Sequence, residues 1–129
     1  MGSFVTAGSF SARDGEGRLL FDGLTVELAE AELAVLDGPS GSGKSTLLRQ
    51  LVGLAPVDGV ERELAGEAHE PAALPRWRSQ VTLVAQDAPM LAGTVGENLR
   101  FPFSQQFAAG SSPDEGRLAA LLGDRKSVV

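Results

Sequence analysis

Apolar residues along this chain fall into short runs, some alternating with polar residues and some continuous, and three helical stretches interrupt them. Leu24 to Leu28 (LTVEL) alternates apolar with polar positions, the period of a strand with one buried face. Leu33 to Leu36 (LAVL) is continuously apolar and predicts a more deeply buried strand. Gly38 to Gly43 breaks that pattern. From Lys44 to Val52 (KSTLLRQLV), Leu47, Leu48, Leu51 and Val52 recur at helical spacing, and Gly53 offers a C-terminal stop. Ala55 to Val60 (APVDGV) has turn chemistry, Val60 to Leu64 (VEREL) alternates as a half-exposed strand does, and Gly66 to Leu74 reads as a surface loop. Val81 to Gln86 (VTLVAQ) predicts a second buried strand, and Thr94 to Phe101 a short helix closed by Pro102. Ser112, Pro113 and Glu115 match a capping box with proline at the first helical position, opening a helix that continues to Gly123.

These elements suit one α/β domain, and 129 residues are enough to bury a core. A hydrophobic content of 43% with 22% charged residues places the chain among soluble globular proteins. The formal charge of −6 comes with two lysines and nine arginines scattered along the chain, so no basic stripe is present and no nucleic-acid partner is expected. Cysteine is absent, which removes disulfides and thiolate metal sites. The first residues lack a basic segment followed by an apolar run, so they do not read as a secretion signal. No apolar stretch approaches the roughly 20 residues that cross a bilayer, so direct membrane insertion is not expected and any membrane association goes through a partner.

The chemistry concentrates between Leu36 and Leu48 (LDGPSGSGKSTLL). Gly38, Gly43, Lys44 and Ser45 fit G-x-x-x-x-G-K-[ST], the phosphate-binding loop. Glycines let the backbone curl into a nest of N–H groups, and the helix that begins near Lys44 adds the positive end of its dipole. Lys44 suits the β- and γ-phosphates, Ser45 suits Mg²⁺ through its hydroxyl, and Thr46 faces the α-phosphate. An ordinary Gly/Ser-rich turn is the competing explanation. By average composition a chance match in such a chain arises on the order of once in a few hundred sequences. The position between an apolar run and a helix favours phosphate further, as does the capture of one of only two lysines.

Loop and surroundings together resemble the nucleotide-binding domain of ABC (ATP-binding cassette) transporters, with closest likeness to small bacterial members assigned to metal (iron) export. The resemblance rests on GPSGSGKSTLL, with its Ser40-Gly41 pair, on VTLVAQDAPMLAGTVGENLRFPF, whose Gln86 lies 42 positions after Lys44, and on the approach LFDGLTVELAEAELAVLDG. It implies a P-loop NTPase of ABC type: an α/β core with an antiparallel layer from the N-terminal strands and Val60 to Leu64. It implies ATP and Mg²⁺ as cofactors, held by Gly38, Pro39, Ser40, Gly41, Ser42, Gly43, Lys44, Ser45 and Thr46. Gln86 would be the Q-loop glutamine, a ligand to magnesium and to the attacking water, so Lys44 and Gln86 are the catalytic candidates and Ser45 and Gln86 the metal candidates. A membrane permease subunit would be the partner, with a second copy of the ATPase domain in the complete protein and a peripheral place at the cytoplasmic face of the membrane. Met90, Leu91, Val95, Phe101 and Phe103 either dock that partner or pack in a core.

A GTPase reading lacks the N-K-x-D loop, because the only asparagine, Asn98, is followed by leucine. A small P-loop kinase would use lid arginines, for which Arg76, Arg78 and Arg100 are available; a non-catalytic nucleotide-binding module is the third reading. Two departures from the family pattern matter. Arg13 stands near the place of the aromatic residue that stacks on adenine, with Phe10 slightly earlier. The signature L-S-G-G-x, an apolar run ending in Asp-Glu, and the switch histidine are not found within these 129 residues. His69 lies in the wrong place for the switch. The resemblance therefore implies an incomplete domain over residues 1–129, about the first half of the family's, that binds Mg-ATP and hydrolyses little. In the family's sheet the acidic strand separates the P-loop and Q-loop strands, so without it the chain is expected to be unstable, to rearrange its sheet, or to borrow pairing from another copy.

Overall fold

A computed structural model describes residues 2–87, 89–105 and 111–123. The chain divides into two compact units, Met1–Leu83 and Val84–Val129.

The first unit is built on a four-stranded antiparallel sheet in the order β2-β1-β3-β4, with β1 Val5–Arg13, β2 Leu19–Leu28, β3 Glu61–Leu64 and β4 Glu67–His69. Alternation explains each strand's inner face. Phe10 and Ala12 of β1 point inward between polar neighbours, Leu24 and Val26 of β2 face the core beside Asp22, Thr25 and Glu27, and Val60 and Arg62 are buried while Glu61 and Glu63 are exposed. Asp14 turns the β1-β2 hairpin: its carboxylate accepts from the amides of Glu16 and Arg18 at 3.0 and 2.9 Å, and Gly17 takes the left-handed φ of 83° that closes the loop. Helix α1, Lys44–Leu51, buries Leu47 and Gln50, and helix α2, Leu74–Gln80, buries Trp77. Ala7, Phe10, Leu47, Val60 and Trp77 form the core, with Phe21, Leu51, Val57 and Val81 packed around it.

Several expectations are corrected here. Leu33 to Leu36 is not a buried strand: it pairs with no strand among the described residues, and Leu33 is 90% and Val35 86% exposed. Val81 to Gln86 likewise forms no strand, and Val84 is 88% exposed. A continuous apolar run becomes a strand only between neighbours that take up its N–H and C=O groups, and among the described residues no neighbour is offered to either. The stretch Gly66 to Leu74 is more ordered than a surface loop. It holds β4, a single 3-10 turn at Pro71–Ala73 and the start of α2, where Pro75 fits the first turn because no intrahelical N–H is needed there.

In the second unit, α3 runs Val95–Arg100 and continues as a 3-10 turn at Phe101–Ser104. Thr94 and Glu97 form a reciprocal capping box, Thr94 Oγ1 accepting from the Glu97 amide at 3.1 Å and Glu97 Oε2 from the Thr94 amide at 2.7 Å. Helix α4, Glu115–Gly123, ends where the sequence predicts, but its cap is Asp114 and not Ser112: the Asp114 carboxylate accepts from the Arg117 amide at 2.9 Å. A bidentate pair joins the two helices, Arg100 Nε and Nη2 donating to Glu115 Oε1 and Oε2 at 3.2 and 2.8 Å. Met90, Leu91, Val95, Phe101 and Phe103 are all exposed, so core packing does not account for them.

Candidate functional site

Gly43 is the N-cap of α1 with a left-handed φ of 99°, and it turns the chain from the loop into the helix. A Cβ there would stand 2.9 Å from Phe21 Cε1, so the ring of β2 packs directly beneath the loop. Gly41 also has a positive φ, 80°, but faces open space. The Lys44 ammonium turns back into the loop. It donates to the carbonyls of Gly38 and, at 2.9 Å, Pro39, and it approaches Ser42 Oγ at 3.5 Å. These are neutral oxygens that an anion's oxygens can replace.

An open cavity of about 500 Å³ adjoins the loop, lined on one side by Ser40, Gly41, Gly43, Lys44, Ser45 and Thr46 and on the other by the hairpin residues Arg13, Asp14 and Gly15. The structure thus brings Arg13 and the phosphate-loop residues to one cavity. Arg13 is exposed, with its guanidinium steadied by a 2.9 Å bond to the Gly17 carbonyl. Phe10 is fully buried in the core and cannot offer its face to a base. Gln86 is exposed and belongs to the second unit.

The far end of α1 is held by three side chains, of which the sequence singles out only Arg78, and that as a kinase lid candidate. Arg62 Nη2 donates to the Gln50 carbonyl at 2.8 Å, Trp77 Nε1 to the Leu51 carbonyl at 2.8 Å, and Arg78 Nη1 to the Gly53 carbonyl at 3.0 Å. Gln50 Nε2 in turn reaches the Ser11 carbonyl of β1 at 2.9 Å. Burial lowers the pKa of the Arg62 guanidinium. Its ring neighbour is Trp77, whose centroid lies 6.0 Å away. The signal was available for Arg62, since strand alternation places it inward with Val60 and Leu64.

The three lid candidates of a kinase are each committed elsewhere: Arg76 pairs with Glu67 at 2.8 Å, Arg78 caps α1, and Arg100 pairs with Glu115. His69 is buried edge-on against Trp77, with ring centroids 5.2 Å apart.

For magnesium, the donor on offer is the exposed hydroxyl of Ser45 at the head of α1. Among the described residues no group of three or more His, Cys, Asp or Glu side chains could hold a metal ion. A single neutral hydroxyl fits a magnesium ion that arrives with its nucleotide and takes most ligands from phosphate and water.

Comparison with known proteins agrees with this geometry. The ABC transporter family model matches residues 21–126. The chain is 38% identical over 107 residues to the Fe(3+) ions import ATP-binding protein FbpC of Streptomyces avermitilis, covering 82% of this chain and 30% of that protein. It is 32% identical over 96 residues to a multidrug resistance ABC transporter ATP-binding and permease protein of Lactococcus lactis subsp. cremoris, covering 74% of this chain and 16% of that one. Over 66 residues it is 44% identical to the hemin import ATP-binding protein HmuV of Enterobacter cloacae, covering 49% and 25% respectively. The chain thus spans less than a third of the length of each of these relatives. No described helix is long and apolar enough to cross a membrane. With a phosphate loop at the head of α1 and a family match over most of its length, the chain belongs to the ABC transporter family of ATP-binding proteins.

Proposed function

We propose that this chain is the nucleotide-binding portion of an ATP-binding subunit that couples ATP binding and hydrolysis to transport through a membrane permease. The observation that carries the reading is the cavity shared by the phosphate loop and the hairpin around Arg13. Residues Gly38 to Thr46 wrap the polyphosphate with backbone amides, and Lys44 exchanges its loop carbonyls for phosphate oxygens. Ser45 holds Mg²⁺, which when bound neutralises phosphate charge. Arg13 would lie along the base when nucleotide is bound, and Gln86 would take the family's role of an amide oxygen toward the metal. The permease partnership is supported by the Lactococcus relative, whose name joins both functions. The exposed Met90, Leu91, Val95, Phe101 and Phe103 are the surface assigned to it, at the cytoplasmic face of the membrane.

The 129 residues alone bind Mg-ATP and hydrolyse little. They hold no L-S-G-G-x and no apolar run ending in Asp-Glu, and His69 is enclosed beside Trp77, so neither a general base nor a signature segment is supplied. In the complete assembly a second copy of the ATPase domain contributes that segment. Titration calorimetry of the folded chain with Mg-ATP is expected to give saturable heat that Lys44→Ala abolishes. A folded parent that gives no heat overturns the binding reading. Steady ATP turnover that Lys44→Ala removes overturns the claim of weak hydrolysis.

A further inference from the structure

At the C-terminal end of helix α1, three side chains from two elements distant in sequence donate to main-chain carbonyls, and the Gln50 carbonyl also accepts from the Gly53 amide at 3.0 Å. Arg62 from β3 bonds Gln50, Trp77 from α2 bonds Leu51, and Arg78 from α2 bonds Gly53. Two of these donors are guanidinium groups set at the negative end of the helix dipole, while its positive end faces the cavity about 12 Å away along eight residues. The joint is close. Gly53 takes a φ of 78°, and a Cβ there would stand 2.6 Å from Leu74 Cδ2 at the start of α2. Gln50 adds a fourth tie, to β1. A rigid rod gripped at one end presents the other end in a fixed direction, and the end presented here carries Gly43, Lys44, Ser45 and Thr46.

Building on the nucleotide-binding reading, we propose that Arg62, Trp77 and Arg78 are positioning residues for the phosphate loop. They touch no phosphate. They hold α1 so that its first amides and Lys44 converge on one polyphosphate geometry, and loosening them lets the helix axis swing and spreads those donors over many geometries.

Calorimetry of the 129-residue chain with Mg-ATP tests this, because stoichiometry reports the folded fraction while Kd reports the folded protein's loop. Trp77→Phe keeps the ring and removes the donor, and Arg62→Met keeps the stem and removes the guanidinium. Each is expected to raise Kd about tenfold, the loss of roughly one hydrogen bond, at unchanged stoichiometry. Arg62→Lys restores a cationic donor and is expected to recover most of the affinity. Arg78→Met, at an exposed position that tolerates change, is expected to raise Kd about threefold even if the buried variants do not fold. Gln80→Ala, exposed on the same helix, is expected to match the parent. If the variants lower stoichiometry or melting temperature but keep the parental Kd, the three side chains are only structural and the proposal is overturned. If the parent itself gives no heat, the nucleotide reading fails first and the proposal falls with it.

Discussion

Gly41 and Gly43 share a positive φ but differ in their surroundings, and that difference sets the expected cost of a methyl group at each. At Gly41 an added Cβ meets nothing within 4 Å, so Gly41→Ala carries only the left-handed backbone penalty, about 1 kcal/mol. At Gly43 the φ of 99° is less favourable for alanine, and the Cβ would crowd the Phe21 ring at 2.9 Å and Leu20 at 3.3 Å. Gly43→Ala is therefore expected to cost about 2–3 kcal/mol, as urea unfolding will show. Equal losses at the two sites would mean that Phe21 does not support the loop. The sequence singles out the loop glycines and Lys44 because a nest of amides can be written in few ways, and the structure places Gly41, Gly43 and Lys44 around one cavity. Arg13 was legible only as a position, since its place beside the loop depends on the Asp14 turn that brings the hairpin there.

Among the elements, the strands expected at Leu24 to Leu28 and Val60 to Leu64 form, the second against distant β1, whereas β1 itself is not expected from the sequence and two continuous apolar runs expected as strands stay unpaired. Helix α1 is specified by local spacing and a glycine stop, and α3 by its capping residues, so both stand where expected. Helix α2 was missed because Leu74–Gln80 has little apolar periodicity; a single residue, Trp77, fixes it by burying its ring and bonding Leu51. Leu33 to Leu36 was read as buried because apolar runs usually are, but a strand in the middle of a sheet is decided by its neighbours. The pairing of α3 with α4 carries a pH signature. The hydrogen bond from Arg100 and its charge hold the Glu115 carboxyl below its ordinary value, so the pair's contribution is complete above about pH 4.3 and is lost as pH falls through the lowered value. Carbon NMR titration is expected to place the Glu115 midpoint below that of other exposed glutamates, and Arg100→Met to restore it. An unchanged midpoint in that variant would mean the bridge does not form in solution.

For the whole molecule, unpaired apolar segments matter more than the small core. Leu33, Val35 and Val84 are each more than four-fifths exposed, in segments that pair with no strand among the described residues. Such segments are templates for pairing with another chain. The chain is expected to self-associate with rising concentration in sedimentation experiments. A Leu33→Lys, Val35→Lys double substitution is expected to suppress this while changing stability by no more than about 0.5 kcal/mol, because neither side chain is packed. Loss of cooperative unfolding in the double variant would instead show that the segment is buried in solution.

The inward turn of Lys44 has a consequence for what can enter the loop. Its amine is already solvated by the protein's own oxygens, so an arriving anion must outcompete two carbonyls. A singly charged halide or acetate would gain little by that trade, whereas a chain of phosphates, on the proposed reading, would engage the ammonium and the amides at once. On that reading, discrimination against simple salts would follow from the resting arrangement of one side chain.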